Sequence, residues 1–130
     1  MKFRGDYYFL SNMYECPITY NGLTYKCVES AFQAQKDLFR SKEFIDLNGF
    51  EAKKLGRKIH LRSDWEYVKL SIMKNLLQLK FSDIVLLNKL KSINEPIIEE
   101  NTWHDTYWGM CNGIGENHLG ILLEEIKNNI

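Results

Sequence analysis

The sequence lacks any excess of charge of one sign. Seventeen lysine and arginine residues balance seventeen aspartate and glutamate residues, so the formal net charge of the 130-residue chain is zero at pH 7. A neutral chain has no overall field that would draw it to nucleic acid or to an anionic membrane surface. Any anionic ligand must therefore be held by a local group of cations.

Long apolar runs are also missing. No stretch is long enough to span a bilayer, and the segment Met1-Lys2-Phe3-Arg4-Gly5-Asp6 lacks the apolar core of a signal peptide. We therefore expect a cytoplasmic protein without a membrane partner. The chain is 45% hydrophobic and 13% aromatic, which suffices for one domain with a real core, so we predict a single domain over residues 1–130.

Cysteine and histidine are too few and too scattered for a metal site. Cys16, Cys27 and Cys111 are odd in number and have no C-x-x-C spacing, so we predict reduced thiols and neither a disulfide framework nor a zinc site. The three histidines have no i, i+4 relation to one another. The glycines at 109, 113 and 115 are not followed by Gly-Lys-Ser/Thr, which excludes a P-loop.

A hairpin and a helix are predicted in the first third of the chain. Residues 18–25 alternate in polarity around Asn21-Gly22, a strong hairpin signal that pairs Tyr20 with Leu23 and Ile18 with Tyr25.

The helix that follows places Glu29, Gln33 and Lys36 on one face, with Phe32 and Phe39 beside them. Taken alone, this pattern is more typical of a solvated helix face than of a catalytic one.

The rest of the chain is predominantly helical by pattern. We predict a short helix around residues 44–47 that ends near Asn48-Gly49, a helix over 51–58, a helix from the capping-box segment 63–66 to about Phe81, a helix after Ser82-Asp83, and a last helix around 119–126. Residues 97–98 are predicted to be extended. The fold class is therefore mainly α (α+β), a single helix-rich domain with a small antiparallel β-hairpin near the N-terminus.

One aromatic and glycine-rich segment has no helical or strand period. Residues 103–120 contain Trp103, Asp105, Tyr107, Trp108 and four glycines. Glycine lets the backbone approach a ligand and large aromatic rings are costly to leave in water, so this loop is a candidate site wall. A packed loop whose tryptophans fill the core explains the composition equally well.

A set of short motifs recurs in order along almost the whole chain. These motifs are Phe9-Leu10-Ser11-Asn12, Gly22-x-x-Tyr25, Val28-Glu29-x-Ala31-Phe32-Gln33-Ala34-x-Lys36, Ala52-Lys53-x-Leu55-Gly56-Arg57, Arg62-x-Asp64-Trp65, Met73, Lys80-Phe81, Asp105-x-x-Trp108-Gly109 and Gly115-x-Asn117-x-Leu119-Gly120. Together they resemble the NADAR (YbiA-like) family. The sequence departs from the family pattern at Met13, where an aromatic residue is usual, and at Ser30, where histidine is frequent.

The resemblance implies an N-glycosidase, a hydrolase that acts on ribosyl substrates without a cofactor. In the riboflavin-intermediate type, the substrate is a phosphorylated ribosylamino-pyrimidine. Cleavage of a bond from C1′ to nitrogen needs a proton for the nitrogen and stabilisation of the electron-poor sugar carbon. The alternatives are removal of ADP-ribose from guanine in nucleic acid, with nucleic acid as a partner, and a noncatalytic ADP-ribose-binding module.

The resemblance also implies site residues. Glu29 and Asp105 match the acid/base carboxylates of the family, and Lys36 matches a lysine that can form a Schiff base at C1′. The residues implied in substrate binding are Ser11, Asn12, Gln33, Arg57, Trp65, Trp108, Gly109 and Asn117, with Lys58 and Arg62 as further candidates for the phosphate and Trp103 for stacking. No metal is implied. The oligomeric state stays open.

Overall fold

Helices dominate the computed structural model, which describes residues 1–129. The α-helices of this range are α1 (Val28–Ala34), α2 (Gly49–Gly56), α3 (Trp65–Lys80), α4 (Ile84–Lys91) and α5 (His118–Asn128), and two 3₁₀ helices cover Gly5–Leu10 and Leu38–Phe44. The predicted class, mainly α with a small antiparallel β element, is confirmed. The chain divides into two compact units, Asn12–Lys80 and Met1–Ser11 with Phe81–Ile130, called the central unit and the terminal unit below.

The predicted hairpin is present in the central unit. Strands β1 (Ile18–Tyr20) and β2 (Leu23–Tyr25) are antiparallel, and Ile18 pairs with Tyr25 as the sequence predicts. The turn residues Asn21 and Gly22 have φ angles of 50° and 81°. Asparagine and glycine tolerate this left-handed conformation, which a two-residue hairpin turn requires.

The prediction for residues 44–58 is wrong in one respect. Asn48-Gly49 does not end a helix but begins α2, because the Asn48 side chain accepts from the backbone N of Glu51 while the Glu51 carboxylate accepts from the backbone N of Asn48. This reciprocal capping box satisfies two donors at the helix start. The preceding segment is the 3₁₀ helix Leu38–Phe44, which begins earlier than predicted.

Helices α3 and α4 agree with the sequence pattern. Helix α3 buries an apolar stripe that includes Met73, Leu76 and Leu77 in the central unit. Helix α4 lies in the terminal unit, and its N-cap Asp83 accepts from the backbone N of Val85 and Leu86. Caps and helical periodicity are local signals, which explains why these two helices are predictable.

A second, very short sheet is not predicted by the sequence. In the terminal unit β3 (Glu100–Asn101) pairs in parallel with β4 (Met110–Cys111), and β4 lies inside the loop predicted to have no strand. Two-residue strands leave no periodic signal in a sequence. Helix α5 follows as predicted. Among the helices of residues 1–129, none has the length and apolar character needed to cross a membrane.

Candidate active site

Glu29 is a buried carboxylate near the start of α1. The residue is 8% exposed, and its backbone N donates to the backbone O of Asn12 at 3.0 Å. Carboxylates are rarely buried without a partner or a task, because removal of the charge from water is costly. The burial of Glu29 contradicts a solvated helix face and favours a site.

Two glycines of α2 allow α1 to approach closely beside Glu29 and Gln33. A Cβ atom on Gly56 would collide with Oε1 of Gln33, and one on Gly49 would collide with Sδ of Met13 and lie 3.3 Å from Cβ of Glu29. The two glycines are seven residues apart and therefore share one face of α2. Gly49 was predicted at a helix end and no role was predicted for Gly56, although a glycine within a predicted helix, which costs stability, was a usable signal.

Two buried amide oxygens beside Glu29 have no hydrogen-bond donor within residues 1–129. They are Oδ1 of Asn12 and Oε1 of Gln33. The Gln33 amide nitrogen lies 3.5 Å from Oε1 of Glu29, and the Asn12 amide nitrogen lies 3.6 Å from Sδ of Met73. Both residues were predicted to bind substrate. Unsatisfied buried acceptors are costly, and they are frequent where a site awaits a ligand.

Lys36 lies just beyond α1 rather than on it. The helix ends at Ala34, and the backbone N of Lys36 donates to the backbone O of Gln33 at 3.2 Å in a tighter turn. The Nζ atom of Lys36 lies 5.8 Å from the centroid of the Trp65 ring. The predicted single helix face from Glu29 to Lys36 is thus interrupted, but the two charged groups remain electrostatic neighbours.

The surroundings of Lys36 favour its neutral form. Burial is the largest cause that lowers the pKa of this amine, and Arg57, Lys53 and Lys69 lower the pKa further. The carboxylate of Glu29 raises the pKa of Lys36. Imine formation needs a neutral amine, so burial and nearby cations are the conditions under which a lysine becomes a nucleophile.

The cations predicted to hold a phosphate differ in their exposure to solvent and in their side-chain contacts. Arg57 lies exposed at the C-terminal end of α2, and Lys53 precedes it by one helical turn. Arg62, in contrast, donates to both carboxylate oxygens of Asp64 at 2.6 and 3.0 Å and so has a structural partner. Lys58 is exposed. Arg57 is therefore an exposed cation beside Lys36, and Lys53 is a second, half-buried one.

The aromatic residues of this region do not all lie as predicted. Trp65 is 6% exposed and packs its ring 5.0 Å from that of Phe32, so it contributes to the core and contacts Lys36 rather than presenting an open stacking face. Phe39 does not lean beside the Glu29 face, because it lies on the 3₁₀ helix and is fully exposed.

In the terminal unit, the Asp105 side chain binds the backbone of its own loop. Its Oδ1 atom accepts from the backbone N of Tyr107 at 3.1 Å and of Trp108 at 2.9 Å. The half-buried ring of Trp108 packs edge-on against Tyr107 at 4.8 Å, whereas Trp103 is exposed. The loop therefore has a defined conformation that the Asp105 carboxylate stabilises.

The other predicted residues of this loop also form internal contacts. The Asn117 amide accepts from the backbone N of Glu99 at 3.0 Å and donates to the backbone O of Ile97 at 3.0 Å. A Cβ atom on Gly109 would collide with Glu99, whose buried carboxylate accepts from Asn101 at 2.8 Å. Neither Glu99 nor Asn101 was predicted from the sequence.

The structure thus brings together one set of predicted residues in the central unit. Glu29, Gln33, Lys36, Arg57 and Trp65 are linked there by the contacts described above, with Asn12 bound to the backbone of Glu29. Six other predicted residues belong to the terminal unit, where Ser11 is the C-cap of the first 3₁₀ helix: Ser11, Trp103, Asp105, Trp108, Gly109 and Asn117. Within residues 1–129, no cluster of three or more His, Cys, Asp or Glu side chains could hold a metal ion.

Comparison with known proteins identifies relatives over nearly the whole chain. Residues 2–130 match the NADAR domain. N-glycosidase YbiA of Shigella boydii serotype 4 (strain Sb227) is 36% identical over 132 residues, covering 96% of this chain and 82% of the relative. The chloroplastic riboflavin biosynthesis protein PYRR of Arabidopsis thaliana is 36% identical over 111 residues, which cover 83% of this chain but 17% of that protein.

A solved structure has the same fold. The NMR structure of the E. coli protein YbiA superposes with a TM-score of 0.85 at 31% sequence identity, covering 99% of this chain and 83% of that one.

Proposed function

The chain belongs to the NADAR family, and from this premise we propose that it hydrolyses the bond between C1′ of a ribosyl phosphate and the nitrogen of an amino-pyrimidine. Relatives that cover most of the chain carry the name N-glycosidase, which supports the coarser assignment as a hydrolase of N-glycosyl compounds. A relative named as a riboflavin biosynthesis protein supports the choice of a pyrimidine intermediate of that pathway.

The observation that carries the proposal is the environment of Lys36. Its side chain is half-buried, it interacts with the buried carboxylate of Glu29, and its pKa is lowered by burial and by three cations. In the proposed reaction the neutral amine attacks C1′ of the ring-opened substrate and forms a C–N bond, while the bond to the pyrimidine nitrogen breaks.

Proton transfer completes the cycle. Glu29 gives a proton to the departing amine of the pyrimidine and then receives one from the water that attacks the imine at Lys36. Hydrolysis of the imine regenerates the lysine and releases ribose 5-phosphate. The sum is one substrate and one water converted to the free amino-pyrimidine and the sugar phosphate, so no cofactor enters. Asp105 is the second proposed acid/base carboxylate.

The proposed phosphate contact is Arg57 with Lys53. Both cations act electrostatically on Lys36, so an anion between them would lie close to the reacting amine. The chain has no net charge that would attract nucleic acid, which favours a small phosphorylated substrate over an ADP-ribosylated polymer. Asn12 and Gln33 are the proposed acceptors for hydroxyl or amino donors of the substrate.

The direct test is incubation of the purified protein with a ribosylamino-pyrimidine 5′-phosphate, with release of ribose 5-phosphate as the readout. We expect turnover, and we expect borohydride to trap a sugar adduct that peptide mapping places on Lys36. Absence of product at high enzyme concentration would refute the substrate assignment. Clearance of ADP-ribose from guanine in DNA, with the small substrate untouched, would support the second activity instead.

Two variants serve as controls for the trapping experiment and separate the imine route from hydrolysis by direct water attack. The variant K36M should give neither an adduct nor product, whereas K54M changes an exposed lysine of α2 and should behave as the native protein. Product formation by K36M at the native rate would exclude the imine route but leave hydrolysis by direct water attack in place.

A further inference from the structure

A buried polar pair of the terminal unit has no role in the reaction proposed above. Asn101 on β3 is 6% exposed, and Glu99, which directly precedes β3, is 8% exposed. Burial of an amide and a carboxylate is costly unless their hydrogen bonds are made inside the protein. The bonds that these two side chains form therefore indicate which part of the fold they hold in place.

The Asn101 side chain binds the backbone of Asp105 at two points. Its Nδ2 atom donates to the backbone O of Asp105 at 2.8 Å, and its Oδ1 atom accepts from the backbone N of Asp105 at 3.1 Å. One buried amide thus holds both backbone polar atoms of the residue whose carboxylate is proposed for acid/base chemistry. Fully satisfied buried networks of this kind favour a single conformation.

Glu99 contributes to the orientation of the Asn101 amide. Its Oε2 atom accepts from Nδ2 of Asn101 at 2.8 Å. The amide nitrogen therefore faces two acceptors, the carboxylate of Glu99 and the backbone O of Asp105, while the amide oxygen faces a donor. The reversed amide would place its oxygen against both acceptors. The network consequently permits one orientation of Asn101.

Glu99 is itself fixed by neighbouring segments of the terminal unit. Its backbone N donates to Oδ1 of Asn117 at 3.0 Å, and its backbone O accepts from the backbone N of Met110 at 2.8 Å. A Cβ atom on Gly109 would collide with Oε2 and with the backbone O of Glu99, so a glycine is required beside this carboxylate. The acceptor for Asn101 therefore has a defined position.

The Asp105 carboxylate binds its own loop through one oxygen. The bonds from the backbone N of Tyr107 and Trp108 both end on Oδ1, so Oδ2 is the oxygen available for the proposed proton transfer. His104, the preceding residue, has a φ of 63°, a left-handed conformation that is unfavourable for a residue with a Cβ atom. The bonds from Asn101 to Asp105 help to hold the chain in this conformation.

We propose that Asn101 and Glu99 are positioning residues for Asp105. Glu99 orients the amide of Asn101, and Asn101 fixes the backbone that carries the Asp105 carboxylate. The inference rests on the proposed function for the chemical role of Asp105. Because a small displacement of a catalytic group lowers the rate steeply, the two residues act on turnover through Asp105 and not on the affinity for substrate.

The first test needs no substrate. In N101A the backbone N–H of Asp105 loses its acceptor, so we expect its hydrogen exchange, followed by NMR, to become about tenfold faster. N88A removes an exposed asparagine of α4 and is the matched control, with native exchange at Asp105. Native exchange at Asp105 in N101A would overturn the proposal.

The second test separates positioning from a general loss of stability. We expect N101A to lower kcat about fivefold with KM unchanged, and to cause no further loss in the D105N background, because the group that Asn101 positions is then already absent. N88A should keep the native kcat. An equal loss from N101A in both backgrounds would overturn the proposal, since the effect would not pass through Asp105.

The part assigned to Glu99 is tested in the same assay. E99L removes the acceptor for Asn101 and should lower kcat about threefold, whereas E99Q keeps an oxygen that can accept and should lose less. Native turnover by E99L would exclude Glu99 as a positioning residue. If the native protein gives no product, the proposed function fails, and the exchange measurement still decides whether Asn101 holds Asp105.

Discussion

The central and terminal units use their polar side chains in opposite ways. In the loop of the terminal unit, the side chains of Asn117 and Asp105 form hydrogen bonds with backbone atoms of their own unit. In the central unit, Gln33 and Asn12 keep buried oxygens without a donor in the described chain, and Lys36 is held with a lowered pKa among cations.

The difference favours a structural role for the residues of the loop and a chemical role for those of the central unit, with Asp105 as the residue for which both roles are proposed. Satisfied polar groups lower the energy of one conformation and fix it, whereas unsatisfied or electrostatically unfavourable groups cost stability and persist where function requires them. By this criterion we propose the group of Glu29, Gln33 and Lys36 as the reactive part. Both units contain motifs that resemble the family, so the motifs do not distinguish these roles. The hydrogen bonds of the side chains are the basis for the distinction.

The largest expected effect is that of E29Q. The amide has the same shape as the carboxylate but cannot transfer a proton, so we expect product release to fall about 100-fold or more with unchanged thermal stability. Glu29 raises the pKa of Lys36, so its removal leaves the amine at least as neutral as before. A loss of activity therefore cannot be attributed to a protonated Lys36. Full activity of a folded E29Q protein would refute the acid/base role.

Replacement of Asn117 should affect stability rather than chemistry. N117A loses both hydrogen bonds to the backbone of residues 97–99, and we expect the free energy of unfolding to fall by about 2 kcal/mol. Denaturant titration measures this change. N112A is the matched control, because Asn112 has the same φ of 53° but is exposed. Equal destabilisation by both variants would show that Asn117 stabilises the protein through its left-handed backbone conformation and not through its side-chain hydrogen bonds.

The variants D105N and D105A divide the two roles of Asp105. An asparagine oxygen can still accept from the backbone N of Tyr107 and Trp108, so D105N should keep the loop and its stability. If the charge serves the reaction as proposed, activity should fall about tenfold, and D105A should lose stability as well. Native activity of D105N would assign Asp105 to the shaping residues of the terminal unit alone.

The smallest expected effect concerns the cations around Lys36. K53M removes one charge that lowers the pKa of Lys36, so the pKa rises and less amine is neutral at a given pH. The rising limb of the activity profile should move to higher pH, with a loss of about twofold at neutral pH in dilute salt. K54M, on the same helix, is the control. A profile that does not move would exclude Lys53 as a group that adjusts the pKa of Lys36.

The predictable parts of the fold have local causes. The Asn21-Gly22 turn, the Asp83 cap and the apolar stripe of α3 each depend on residues within a few positions of one another. Asn48-Gly49 shows the limit of such signals, since the same pair can end one helix or cap the next. The parallel pairing of β3 with β4 joins segments ten residues apart and leaves no periodic trace.

Motifs and local periodicity along the chain are enough to predict the family resemblance, the helix-rich class, the hairpin register and the candidates Glu29 and Lys36. The burial and the electrostatic surroundings of the candidate residues follow from the folded chain. Burial of Glu29 and partial burial of Lys36 beside Trp65 and Arg57 arise from residues far apart in sequence. Solvation and electrostatic interaction depend on distance in space, and no linear pattern records that distance.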